Sequence, residues 1–273
     1  MAEKFDKYEE ALGEPRFKVS GSSVFTYKGS MVKISGSGSL EDGILRASGS
    51  CSIEGFINVK EIHISGSFRA EDGVKAEYIS VSGSAKFGGE VSCNSIRVSG
   101  SCSINGPLKA DEAKFSGSSK ISGDVTGQLL NCSGSFKAEN LNLNSCSLSG
   151  AFSLNSVKCK DMFKAYLRGK SRIRDGLTAR IISIRGKGSG RSFKISVFGI
   201  PIISVTTGNG EGELEVGYIK GEDIYIEYTK CERIEGANVN IGPHCTIRGD
   251  VIYTSSFSID PTSKVLGKVI KSE

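Results

Sequence analysis

Glycines at the centre of Ser-Gly-Ser units fall at Gly49, Gly66, Gly83, Gly100, Gly117 and Gly134, each 17 residues after the last. A period of that length is the signature of a solenoid, in which a unit too small to bury its own apolar face buries it against its neighbours. Gly21, Gly36 and Gly150 extend the series with steps of 15, 13 and 16 residues. That makes roughly nine units from Val19 to Leu167. Within each unit the apolar residues fall in three short bursts that alternate with polar ones: Cys51/Ile53, Ile57/Val59, Ile62/Ile64, then Phe68/Ala70, Val74/Ala76, Ile79/Val81, and so on. Alternation of period two is the mark of a strand with one buried face.

Three strands per unit, joined by bends and repeated at a fixed period, predict an all-β chain folded as a three-sided parallel β-helix of about 17 residues per coil, with like residues stacked about 4.8 Å apart. A left-handed β-helix uses six-residue strand repeats, three per coil, so the 17-residue step favours the right-handed form. A second glycine six residues after the first (Gly55, Gly89, Gly106, Gly123) marks another corner, expected to need left-handed backbone. About 14 such coils would fill the chain. The expected divisions are a tail or helical cap over 1–16, the regular repeat over 17–168, irregular coils over 169–210 and further β-helix over 211–273. Phe5, Tyr8 and Leu12 fall at helical spacing within the cap.

Composition narrows the chemistry. The chain has 35 Gly, 5 Pro and no Trp, with 24% charged and 38% hydrophobic residues, as expected of a folded protein with many tight turns. Its start lacks a basic stretch followed by an apolar one, and no run of about 18 apolar residues occurs, so a cytoplasmic location is expected. None of the eight cysteines stands in a Cys-x-x-Cys pair. Cys51, Cys93, Cys102, Cys132 and Cys146 occupy inward columns, where a thiol packs as a small hydrophobe. No metal, cofactor or catalytic residue is expected. Gly186–Gly190 and Gly208–Gly212 lack the Lys-Ser/Thr ending of a phosphate loop, so no nucleotide is expected either. His63 falls between inward Ile62 and Ile64 and so points outward. His244 lies in a unit similar to one hexapeptide of left-handed acyltransferases, where a His serves as general base. That is the alternative, enzymatic reading.

Charge is concentrated. From Lys158 to Lys194 there are twelve Lys or Arg and two Asp, whereas the whole chain is only +5. The apolar run Phe193–Val205 overlaps the end of this segment. Basic residues beside apolar ones suit an anionic membrane surface, and the residues to make that contact are Phe193, Phe198, Ile200, Ile202 and Ile203 with Arg185, Lys187, Arg191 and Lys194. The competing reading makes the apolar ones core. Nucleic acid needs similar charge, but no aromatic residues are interleaved to stack on bases.

In the last third, the stretch from Gly221-Glu-Asp-Ile-Tyr-Ile through Val239-Asn-Ile-Gly-Pro-His-Cys-Thr-Ile to Ile259-Asp-Pro, together with the preceding Ile-Ser-Gly-Ser units, resembles the bactofilin-like polymer-forming cytoskeletal proteins. The resemblance implies a β-helix that polymerises with itself end to end, without nucleotide, often on membrane, to organise cell shape or the envelope. The chain departs from that pattern in having a longer helical repeat and no hydrophobic N-terminal membrane motif. Independently, the terminal coils of any β-helix carry unpaired strand edges that must be capped or matched. Phe257, Ile259, Val265, Val269 and Ile270 carry the apolar pattern nearly to Glu273 and are the expected self-association face. A surface-binding rod built on stacked serines is a third reading, and the absence of an export signal weighs against it.

Overall fold

A computed structural model describes residues 16–186, 196–197, 200–201 and 212–273. Every element is a β-strand: β1 (Phe17–Tyr27), β2 (Ser30–Glu41), β3 (Ile44–Glu54), β4 (Ile57–Asn58), β5 (Glu61–Ala70), β6 (Val74–Phe87), β7 (Val91–Ile104), β8 (Leu108–Ile121), β9 (Val125–Lys137), β10 (Asn140–Leu167), β11 (Lys170–Thr178), β12 (Ile181–Arg185), β13 (Ser196–Val197), β14 (Ile200–Pro201), β15 (Glu213–Ile226), β16 (Thr229–Ile241), β17 (Thr246–Ile247), β18 (Val251–Ile259), β19 (Lys264–Val265) and β20 (Val269–Lys271). Stacked parallel coils form a β-solenoid of about 12 turns with about 17 residues per turn. The chain divides into two compact units, Met1–Gln128 and Leu129–Glu273.

In the first unit, β3, β5, β6, β7 and β8 pair in parallel with Gly49, Gly66, Gly83, Gly100 and Gly117 in one column. Each of these glycines has positive φ, and each strand turns there from one wall to the next. The column admits nothing larger, since a Cβ on Gly66 would lie 2.1 Å from the Gly49 carbonyl oxygen. Inward columns run unbroken beside it, such as Leu45, Ile62, Ile79 and Ile96, all 0% exposed. Each such side chain contributes about 1.5–3 kcal/mol by leaving water. The third wall stacks Ile57, Val74, Val91 and Leu108.

Two sequence expectations change here. The units of Gly21 and Gly36 are not coils: β1–β2 and β2–β3 are antiparallel hairpins. Their turns, Lys28-Gly29 (φ 46° and 83°) and Asp42-Gly43 (φ 53° and 76°), are two-residue loops with both residues left-handed, the form that matches strand twist. Counting two hairpins as coils explains part of the excess in the expected 14. The Gly column survives the reversal, with Gly21 opposite Gly36 and Gly36 opposite Gly49. At the second corner only Gly55 has positive φ. Gly89, Gly106 and Gly123 are glycines for lack of room, because a Cβ on each would meet backbone of the preceding coil at 2.9–3.0 Å.

In the second unit, β10 is a 28-residue strand with Gly150 at φ 132°, and it pairs in parallel with β11 and β12. Lys170 then pairs with Glu213, 43 positions on, so the segment between β12 and β15 is an insertion whose roots are Gly186 and Gly212. Beyond it the coils are regular again: Leu214 pairs with Thr229, Ile234 with Val251 and Val251 with Val269. Among the described residues no glycine after Gly150 has positive φ, so these coils lack the Ser-Gly-Ser corner of the first unit.

Candidate assembly surfaces

The last coil is built from the end of β18 with β19 and β20, and the start of β18 lies one rung below β20. Val239 pairs with Phe257, Ile241 with Ile259, Ile247 with Val265, Val251 with Val269 and Ile252 with Ile270. The five residues singled out from the sequence therefore occupy one coil, spread over all three walls. Ile259 and Val269 are 39% and 45% exposed, whereas Ile241 and Val251, one rung below them, are at 0%; Ile270, above half-buried Ile252, is 38% exposed. Leu266, exposed at 67%, joins the same coil. Strict alternation points it outward beside Val265, so the inward pattern could not reveal it. Tyr253 stacks on Phe257 at 5.5 Å between ring centroids.

At the start of the first unit, Tyr27 is 1% exposed, at the end of β1 where the hairpin begins. It lines a cleft with Gly43, Asn58 and Val59 and covers the core where the third wall begins. Phe17 and Phe25, inward on the two walls of β1, stack at 4.4 Å and 15°. Both are half-buried, and Val24 points outward at 61% exposure. Residues 1–15, with Phe5, Tyr8 and Leu12, lie outside the described residues. Down the flank of this unit the serines before and after each glycine form two exposed columns, bordered by an open groove of about 650 Å³ between Ser67, Ser84 and Ser101 on one side and Arg69 and Lys86 on the other.

The basic segment is partly neutralised by its own unit. Arg180 pairs with Asp161, Arg172 with Glu215 at 3.6 Å, and Arg185 lies over the Tyr225 ring at 5.5 Å. The root of the insertion is held by Glu227, a carboxylate only 2% exposed, which accepts hydrogen bonds from the Gly186 amide at 3.0 Å and the Tyr225 hydroxyl at 2.5 Å. Burial and that bond to Glu227 push the Tyr225 hydroxyl pKa up. Nothing in the sequence singled out Glu227, since its burial depends on the amide of a residue 41 positions away. Phe193, Phe198, Ile202, Ile203, Lys187, Arg191 and Lys194 lie outside the described residues; the backbone of Ile200 is in β14, paired with Val197.

All eight cysteines are buried. Burial pushes Cys51, Cys93, Cys132, Cys159 and Cys231 up to about 12 and Cys245 to about 11, the opposite of what a nucleophilic or metal-binding thiol needs. Among the described residues no group of three or more His, Cys, Asp or Glu side chains is placed to hold a metal. His244 is exposed, has φ 58°, and lies against Tyr228 at 4.8 Å; its backbone amide donates to the Thr262 hydroxyl. Asp260 is held below its ordinary pKa chiefly by the Thr262 hydroxyl and amide, with His244 adding attraction. His63 is half-buried, with Nε2 2.6 Å from Glu61. Comparison with protein-family models, with curated proteins and with solved structures finds no match for the chain.

Proposed function

We propose that this protein is a structural, non-enzymatic component that assembles with copies of itself through the ends of its solenoid into nucleotide-independent filaments. One observation carries the reading. The large hydrophobic residues that stand exposed are Val24 and Met31 in the opening hairpins, Phe56 in the turn between β3 and β4, and Ile259, Leu266, Val269 and Ile270 in the last coil, with none between Phe56 and Ile259 among the described residues. A solenoid buries apolar surface only against the next coil, so a terminal coil left apolar is a site awaiting another coil. The bactofilin-like resemblance of residues 221–270 supports the same reading, and with it a cytoplasmic, cytoskeletal setting. The basic segment supports contact with anionic membrane.

Negative-stain microscopy and sedimentation velocity on the purified chain test this directly, with and without anionic vesicles. Open-ended polymers that shorten in Phe257→Arg or Leu266→Arg are expected. A discrete trimer indifferent to both substitutions would favour the acyltransferase reading centred on His244.

A further inference from the structure

Among the described residues the first strand has one free edge. All its ladder partners there lie in β2, and an unpaired edge of eleven residues invites another strand. The geometry at Gly21 indicates which strand. In the two hairpins each corner glycine turns its open side toward a carbonyl of the neighbouring strand: a Cβ on Gly36 would meet the Ser48 oxygen at 2.1 Å, and one on Gly49 would meet the Ser35 oxygen at 2.3 Å. Each oxygen belongs to the residue just before the facing glycine, so the relation is reciprocal across the antiparallel pair. Gly21 has the same left-handed backbone, φ 92°, yet a Cβ there would meet nothing within 4 Å. Among the described residues nothing faces Gly21 on that edge.

We propose that β1 is a seam for a second copy of this chain, joining antiparallel to the same strand about a two-fold axis, with Gly21 facing Gly21 of the partner subunit. This rests on the reading that the protein self-associates, and it names the surface and register of one such contact. The register follows from continuing the Gly column that already runs Gly36, Gly49 and Gly66. It sets Phe17 opposite Phe25 of the partner subunit, so the half-buried Phe17–Phe25 stack meets its own symmetry mate and both are covered. A parallel alternative, in which the last coil of another copy stacks on β1, fits less well because that coil has no left-handed glycine to continue the column. An isologous antiparallel contact closes on two subunits.

The same register places Lys18 opposite Val24 of the partner subunit, and both side chains are exposed. Because the native thiols are buried, introduced cysteines report this contact. In the full-length chain the double variant Lys18→Cys/Val24→Cys, and an equal mixture of the two single variants, should give covalent dimers on mild oxidation. Neither single variant alone should do so, since residue 18 then faces no thiol. Gly21→Ala should abolish the cross-link while the chain stays folded by circular dichroism, because the added methyl would strike the facing carbonyl.

Repeating the cross-link in a Leu266→Arg background separates the two readings. Cross-linked dimers that persist after polymers disappear support the seam together with the last-coil contact, and polymers that vanish in Gly21→Ala alone also support the seam. Absence of the double-variant cross-link, cross-linking of a single variant by itself, or indifference to Gly21→Ala overturns the seam, whatever becomes of the last coil.

Discussion

Tyr27 is buried at 1% exposure while its hydroxyl has no hydrogen-bond partner among the described residues. A buried hydroxyl without a partner costs about 1–3 kcal/mol, whereas the ring covers the end of the core. Tyr27→Phe should therefore leave the urea midpoint unchanged or raise it, and Tyr27→Ala should cost about 3–5 kcal/mol. Gly66 differs from Gly21 in a way that the sequence, which shows only identical Ser-Gly-Ser units, hides. At Gly66 an added methyl meets backbone, so Gly66→Ala should lower stability by about 3 kcal/mol or more by the same measurement. At Gly21 the strain is in φ alone and the chain should fold.

At the scale of strands, the hairpin turns carry the largest departure from the expected fold. Gly21 and Gly36 are symmetric about Lys28-Gly29, and Gly36 and Gly49 about Asp42-Gly43. Their spacings of 15 and 13 are those of mirrored strands, although a solenoid reading takes them for slack in the 17-residue period. The Asp-Gly pair between two alternating runs was the local evidence for reversal. Gly43→Val places a β-branched residue at φ 76° and should destabilise the first unit by about 1–3 kcal/mol, seen as an earlier unfolding midpoint. The inward columns were legible because alternation survives in both strand directions. The residues of the last coil were legible for the same reason. Leu266 and Glu227 were not, since the first is outward by parity and the second is defined by a partner beyond the insertion.

For the molecule as a whole, pH dependence follows from the buried thiols. Burial lifts their folded pKa values above that of an exposed thiol, so above about pH 9 the unfolded chain loses protons that the folded chain keeps. Stability must then fall as pH rises toward 12. Urea midpoints measured under reducing conditions should decline from pH 8 to pH 10.5, and the decline should be smaller in Cys51→Ala/Cys93→Ala. At neutral pH the eight thiols should resist a thiol reagent until denaturant is added.

Because Gly83 faces Gly100 and nearly all the strand residues between them have counterparts one coil away, chain length in this unit is quantised. Excising residues 83–99 removes one whole rung and rejoins Ser82 to Gly100 with each side chain still over its equivalent, whereas removing a single residue would turn the buried face of a strand outward. Such a protein can lengthen or shorten by duplicating or losing one coil without redesigning its ends, so distance can change while the contacts between molecules stay the same.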